Sequence, residues 1–398
     1  MRTRTYRTAL LSTLLLAGCT PRETMPELTD RVFAVAAAQY EQLEGRLTDE
    51  TLPRSVASDG KFIPSNIRWW CSGFYPGSLW YIYEYTGDKT FRELAEKNTF
   101  KLYPLKQKGT DHDLGFQMNC SFGNAYRITG EQKYLEPIHT SARVLAGRFS
   151  PVTGVIRSWD FVRKGRDWKY PVIIDNMMNL ELMFKATEFS GDSTYYNIAV
   201  KHADRTMKEH FRDDYSCYHV VDYDLTTGDV RGRCTAQGYA DDSAWARGQA
   251  WAVYGYTACY RYTGDKRYLD HARKVAGFML GDKNMPADLV PYWDYDAPNI
   301  PNEPRDVSTA AIIASAFYEM YTYTGDGLYK QKADRIVESL SSPAYRAPVG
   351  GNGGFLLMHS VGSIPHGSNI DVPLNYADYY FLEALIRKGR LEAGEPLF

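Results

Sequence analysis

Tyr262-Thr263-Gly264-Asp265 is the stretch that decides the fold, because near-copies recur at Tyr85-Thr86-Gly87-Asp88, Ile128-Thr129-Gly130-Glu131, Phe189-Ser190-Gly191-Asp192 and Tyr323-Thr324-Gly325-Asp326. Each copy follows a segment rich in aromatic residues and alanine. Each precedes a second segment with an aromatic residue a few positions in, at Phe91, Tyr134, Tyr195, Tyr268 and Tyr329. Glycine suits the left-handed residue that ends one helix, and an acid suits the positive start of the next. Every copy therefore reads as the tight turn of a helical hairpin. The glycines lie 43 to 73 residues apart, more than a minimal helix-hairpin repeat needs. Each hairpin must return through a long loop at the end opposite the turns.

Outward from the turns, helix pairs are predicted at 67–98, 112–148, 175–210, 243–280 and 307–340. Tyr329, Ala333, Ile336 and Leu340 fall on one helical stripe, as do Leu28, Val32, Val35 and Leu43. Two helices remain, near 27–44 and 374–388, and pairing them makes a sixth hairpin. Twelve helices then close into an all-α (α/α)6 toroid, an inner ring lining a pocket and an outer ring covering it, rather than an open solenoid. Strand-like alternation is short and local, at 219–224 and 288–295.

Composition narrows the function. The net charge is −2 with no long run of one sign, which argues against a nucleic-acid surface. The 31 Tyr, 17 Phe and 8 Trp are more than a core alone requires, and such rings stack on sugars. Arg2, Arg4 and Arg7 precede an apolar stretch too short to span a bilayer. Leu16-Ala17-Gly18-Cys19 then resembles a bacterial lipobox. The expected organisation is a lipoprotein signal peptide over 1–18, an anchor linker over 19–26 starting at a lipidated Cys19, and a single catalytic domain over 27–398. The expected location is the periplasm or outer membrane of a Gram-negative bacterium, with the membrane touched only through the lipid. The five remaining cysteines form no C-x-x-C and read as small buried thiols. The histidines are dispersed, so neither a metal nor another cofactor is expected. Oligomeric state is not legible.

In a toroid the segments that open inner helices surround the pocket mouth, and three of them carry chemistry. Asp113 lies in Asp111-His112-Asp113-Leu114-Gly115-Phe116. Asp175 follows Val172-Ile173-Ile174 and precedes Asn176-Met177-Met178. Apolar neighbours raise a carboxyl's pKa by desolvation, which lets Asp175 hold a proton as a general acid, and a second acid nearby adds to the effect. Either residue alone could equally be an N-cap; two at one mouth favour catalysis. The third segment runs from Gln237 to Trp251, with Asp242 or Ser243 as the expected cap. Trp245 shares a helix face with Gln249, and Arg247 shares one with Trp251. An Arg beside Trp rings can bind a sugar carboxylate in two-point fashion, or serve as a salt-bridged Arg against core Trp.

These segments, with Trp70-Cys71-Ser72-Gly73-Phe74-Tyr75-Pro76-Gly77 and the closing Asp371-Val372-Pro373-Leu374-Asn375-Tyr376, resemble the unsaturated glucuronyl hydrolases, glycoside hydrolase family 88. The resemblance spans nearly all the chain after the leader, with motifs in family order. It implies the (α/α)6 fold and an unsaturated oligosaccharide substrate. The implied reaction is hydration of the C4=C5 double bond of a terminal unsaturated uronic acid, not direct glycosidic displacement. It implies Asp175 as acid and base and Asp113 as the acid that positions substrate and tunes it. It also implies His219, Gln237, Trp245, Arg247 and Trp251 as pocket-lining residues. Trp70 and Trp159 add stacking surface, and Tyr376 matches on the C-terminal segment alone. The loop 359–369, with Ser360, Ser363, His366 and Ser368, holds hydroxyls and imidazoles but no Lys or Arg. Where this family contacts the next sugar, the sulfate preference therefore stays open. Two alternatives remain: an unsaturated rhamnogalacturonyl hydrolase of the related family 105, and a non-catalytic glycan-binding lipoprotein.

Overall fold

A computed structural model describes residues 24–161 and 165–398; the leader and Cys19 lie outside the described residues. Helices Phe74–Thr86, Asn176–Ser190, Ala246–Thr263, Val307–Thr324 and Asn375–Ala393 form most of an inner ring. The second inner position is a continuous helical run built from Leu114–Met118, a π-helical turn Asn119–Gly123 and Asn124–Thr129. Inner helices are buried on all sides: every residue from Ala246 to Cys259 is buried, and every residue from Val307 to Met320. A helix apolar all round belongs inside.

Outside them lie Met25–Glu44, Lys89–Lys101, Leu135–Ala146, Ser193–Glu209, Lys266–Gly281 and Gly327–Ser341. These show one apolar stripe each, and Tyr329, Ala333, Ile336 and Leu340 are all buried. Each inner helix packs on the next, and the last packs on the first. Closure is made by polar side chains as well as packing: Tyr81 Oη is 3.2 Å from Tyr379 Oη, and Asn124 donates to Tyr379 Oη at 3.1 Å. The first helix packs against both flanking inner helices, so the two terminal helices complete a sixth hairpin and the ring is closed.

The turns use more chemistry than glycine and an acid. Gly87, Gly130, Gly191, Gly264 and Gly325 all adopt left-handed φ between 63° and 73°. The Thr or Ser before each donates to the carbonyl four residues back, as Thr263 does to Cys259. The same hydroxyl accepts the N–H of the acid after the glycine. Asp88, Asp192, Asp265 and Asp326 then cap the following helix. Glu131 departs from the pattern, opening a short 3-10 turn with no side-chain cap.

The loops at the other end fold into small antiparallel sheets: Thr51–Val56 with Phe62–Asn66, Phe149–Ser150 with Val155–Ile156, Pro171–Ile173 with Val220–Tyr223 and Val230–Cys234, and Ser360–Ser363 with Ser368–Val372. The alternation over 219–224 thus forms a strand. That over 288–295 does not: Tyr292 and Asp294 make only isolated bridges to Arg305 and Trp245. The first helix pair starts at Phe74 rather than 67, because Ile67–Gly73 is spent on the turns that bring Trp69 and Trp70 to the mouth.

Candidate active site

The starts of the inner helices and the small sheets enclose a cavity of about 440 Å³. Asp113 and Asp175 both line it. Each occupies the N-cap position of an inner helix, and neither makes a side-chain cap bond. The capping alternative is thereby removed for both. Asp175 is 9 % exposed among Ile173, Ile174, Met177 and Met178.

Asp113 is held from several directions. His112 is fully buried, with Nε2 3.4 Å from the Asp113 carboxylate. Loss of water around this imidazole pushes its pKa down to about 3, so it faces Asp113 as a neutral ring. Its Nδ1 lies 3.3 Å from Asn179 Nδ2 and 3.4 Å from Ser158 Oγ. Asn179 also accepts the N–H of Phe116 at 2.8 Å. Gly115 permits that approach, since a Cβ there would come within 2.4 Å of Asn179 Oδ1. Removal from water, then the charges of Asp111 and Asp175, drive the Asp113 carboxyl well above the usual range, while Lys108 and Arg148 pull the other way. Asp113 and Asp175 share this mouth.

Trp70, Trp159, Gln237, Trp245, Trp251, Ser368 and Tyr376 all line the same cavity. Gln237 is tethered by donation to Gly362 O at 3.1 Å. Trp70 and Tyr376 lie 4.9 Å apart, and Trp251 packs on Phe116 at 5.2 Å. His219 packs on Trp245, ring centroids 4.5 Å apart, and its Nδ1 accepts the N–H groups of Ala236 and Gln237 at 3.0 and 3.2 Å. Its work is to hold the Gln237 loop.

Arg247, left open by the sequence between a carboxylate clamp and a salt-bridged Arg, lines the cavity. It is 1 % exposed and paired with the equally buried Asp306 at 2.8 Å. It also donates to the carbonyls of Val361 and Gly362. These bonds engage Nη1 twice and Nη2 once. Arg247 fastens two inner helices to the 360–372 hairpin, its guanidinium 4.6 Å over Trp245 and 5.4 Å over Tyr376. The expected cap is also revised: Trp245 holds the N-cap position without a side-chain bond, while Ser243 hydroxyl donates to Asp294 at 2.8 Å. Gln249 points away from the pocket and binds the backbone of Cys217.

Sequence reasoning misses His112, which belongs to a quoted motif but carries no signal apart from its neighbours, and Arg54, Arg68 and Trp69, which come from a hairpin and a turn with no helical register. The five described cysteines are free and buried. Cys71 lines the cavity, but burial pushes its thiol up to about 12, which leaves it a poor nucleophile. Among the described residues no group of three His, Cys, Asp or Glu could hold a metal ion.

Comparison with known proteins agrees with this geometry. The sequence profile of Glycosyl Hydrolase Family 88 matches residues 45–260. An unsaturated glucuronyl hydrolase of Formosa agariphila is 45% identical over 365 residues, covering 89% of this chain and 90% of the relative. An unsaturated chondroitin disaccharide hydrolase of Streptococcus pneumoniae is 33% identical, covering 85% and 86%. The crystal structure of an unsaturated glucuronyl hydrolase specific for heparin superposes with a TM-score of 0.90 at 44% identity, covering 92% of this chain and 98% of that one. The chain belongs to Glycosyl Hydrolase Family 88.

Proposed function

We propose that the protein is an unsaturated glucuronyl hydrolase that releases the 4,5-unsaturated uronic acid from the non-reducing end of lyase-generated, glycosaminoglycan-type oligosaccharides. The observation that carries this reading is the pair Asp113 and Asp175, two carboxyls at neighbouring inner-helix starts, relieved of capping and sharing one aromatic-walled cavity. Two close carboxyls in a poorly hydrated site keep a proton between them past the pH at which a free one loses it. Such a proton is what a vinyl ether needs. Asp175 delivers it to C4, and positive charge develops at C5, shared with the ring oxygen. The Asp175 carboxylate then takes a proton from the water whose oxygen bonds to C5. The hemiketal opens to a 5-keto group, and the hemiacetal left at C1 collapses and expels the remaining saccharide as an alcohol. No displacement occurs at the anomeric carbon, so the carboxylate spacing rules of ordinary glycosidases do not apply. Asp113, backed by neutral His112, holds the substrate and tunes Asp175.

The glycosaminoglycan assignment is supported by relatives described as acting on chondroitin disaccharides or heparin. Its test is a panel of unsaturated disaccharides from chondroitin, heparin and pectin digests, followed by loss of the ultraviolet absorbance of the double bond. Faster turnover of the glycosaminoglycan products is expected; faster turnover of the pectin product favours the rhamnogalacturonyl reading. Binding without any loss of absorbance leaves only a glycan-binding protein. The leader motif further supports export and lipid attachment at Cys19, anchoring the enzyme in the periplasm or at the outer membrane of a Gram-negative cell. Metabolic labelling with a clickable palmitate should mark the wild-type chain and not Cys19→Ser; an unlabelled wild type contradicts the anchor.

A further inference from the structure

A third carboxyl lines the cavity beside Asp113 and Asp175, that of Asp111, and a buried lysine holds it. Lys108 follows the 3-10 turn Tyr103–Gln107 and is only 7 % exposed. Lysines are rarely buried unless paired. Its Nζ lies 2.9 Å from Asp111 Oδ1 and 2.8 Å from Oδ2. The same Nζ donates to the buried Gln117 at Oε1, 3.2 Å away.

Both partners of the ammonium shape the mouth. Asp111 Oδ1 accepts the N–H of Asp113 at 3.1 Å, and the Thr110 hydroxyl donates to Oδ2 at 3.1 Å. The ion pair therefore sets the backbone from which the Asp113 carboxyl projects. A backbone bridge from Asp111 to Trp159 ties the same segment to another wall of the cavity. Gln117, one turn further along the inner helix, donates its amide to the Trp69 carbonyl at 2.9 Å and the Ser72 hydroxyl at 3.0 Å. Trp69 and Trp70 line the cavity from that turn. One ammonium thus joins the segment bearing Asp113 to the turn bearing two rim tryptophans.

Charge gives the pair a second role. Loss of water raises the Asp113 carboxyl first, and Asp111 is the charge that adds most; Asp175 acts the same way, while Lys108 and Arg148 oppose them. Arg148 is itself paired with Asp160 at 2.9 Å. His112, 3.4 Å from Asp113, is a neutral ring. Lys108 is thus the cation in direct contact with the third acid. Without it, Asp111 would repel an anionic sugar and make Asp113 harder to ionise.

We propose that Lys108 is a positioning residue for the hydration reaction: by clamping Asp111 it fixes the backbone beneath Asp113 and cancels the third negative charge of a pocket that must admit a uronate. This rests on the hydrolase reading above.

The test is the pH profile of kcat and KM on an unsaturated disaccharide for wild type, Lys108→Met, Asp111→Asn and the double variant. Lys108→Met leaves Asp111 uncompensated, so KM should rise about tenfold for the anionic sugar. The alkaline limb should move to higher pH, because a like charge helps Asp113 keep its proton. Asp111→Asn keeps an oxygen for the Asp113 N–H but leaves the ammonium uncompensated, and should move the limb to lower pH. The double variant, neutral at both positions, should return KM and the limb towards wild type. If Lys108→Met does not fold, the low limb of Asp111→Asn and its recovery in the double variant carry the same contrast. Limbs that stay in place, or move the same way in both single variants, overturn the proposal. A double variant no better than Lys108→Met also overturns it, since Lys108 would then contact the substrate itself. A wild type that leaves the double bond untouched sinks the hydrolase reading instead.

Discussion

Seven aspartates stand at helix starts among the described residues, and five of them do what such residues usually do. Asp88, Asp192, Asp265, Asp306 and Asp326 each accept a backbone N–H of the first turn. Asp113 and Asp175 do not. No rule of local sequence separates the two groups, since position and residue type are the same; only the pocket does. The difference has measurable consequences. Asp265→Ala should cost about 1 kcal/mol of stability for the lost cap, read as a lower thermal midpoint, and leave turnover near wild type. Because the Asp113 carboxyl is raised, its proton persists above the usual carboxylate range and is lost as pH increases through the raised value. The kcat/KM profile should therefore hold its plateau beyond the usual carboxylate range and fall on the alkaline side, the opposite of an enzyme that needs both carboxylates ionised. A rate that already drops as pH rises through the ordinary carboxylate range would show that the pair does not hold a proton.

At the scale of elements, the turns were the readable part. Thr-Gly-Asp records three local constraints at once: a left-handed residue, a hydroxyl bridging two helices, and a cap. Helical periodicity supplied the outer helices, whose single apolar stripe is visible at Tyr329, Ala333, Ile336 and Leu340. The inner helices, buried all round, have no stripe to read, and their starts shift by a few residues. The small sheets at the mouth were mostly hidden, because strands of two to six residues carry too little alternation to register. That is why Arg54 and Trp69 escape notice, and why the sequence leaves Arg247 open between a carboxylate clamp and a salt-bridged Arg: its partner Asp306 and the Val361 and Gly362 carbonyls lie in other elements. Arg247→Met should leave Asp306 as a buried charge without its cation and cost about 3–5 kcal/mol. Chemical denaturation would show this as a reduced midpoint, accompanied by loosening of the 360–372 hairpin in hydrogen exchange.

Ring closure makes the whole molecule more than a stack of hairpins. Below the pocket, Glu383 of the last inner helix accepts from Tyr81 on the first at 2.9 Å, from Tyr254 at 3.0 Å and from Ser315 at 2.6 Å. Arg387 pairs with Glu319 at 3.0 Å, and Glu319 with Arg261 at 2.7 Å. One network thus ties four of the six inner helices across the axis, and a half-satisfied network is costly. Glu383→Ala, which removes the acceptor shared by Tyr81, Tyr254 and Ser315, should lower stability by about 1–3 kcal/mol and blunt activity at the far end of the ring. Unchanged melting would mean that closure contributes little. Packing of neighbouring inner helices places acids 62 residues apart in sequence at one site.

The most direct check of the central claim is the Asp175→Asn enzyme, matched to wild type in circular dichroism and melting, assayed by disappearance of the double-bond absorbance of an unsaturated disaccharide. Removal of a group that serves as both acid and base should slow turnover by about 10³-fold or more, with the fold intact because Asp175 caps nothing. An Asp175→Asn enzyme that consumes the double bond at the wild-type rate would contradict the assignment outright.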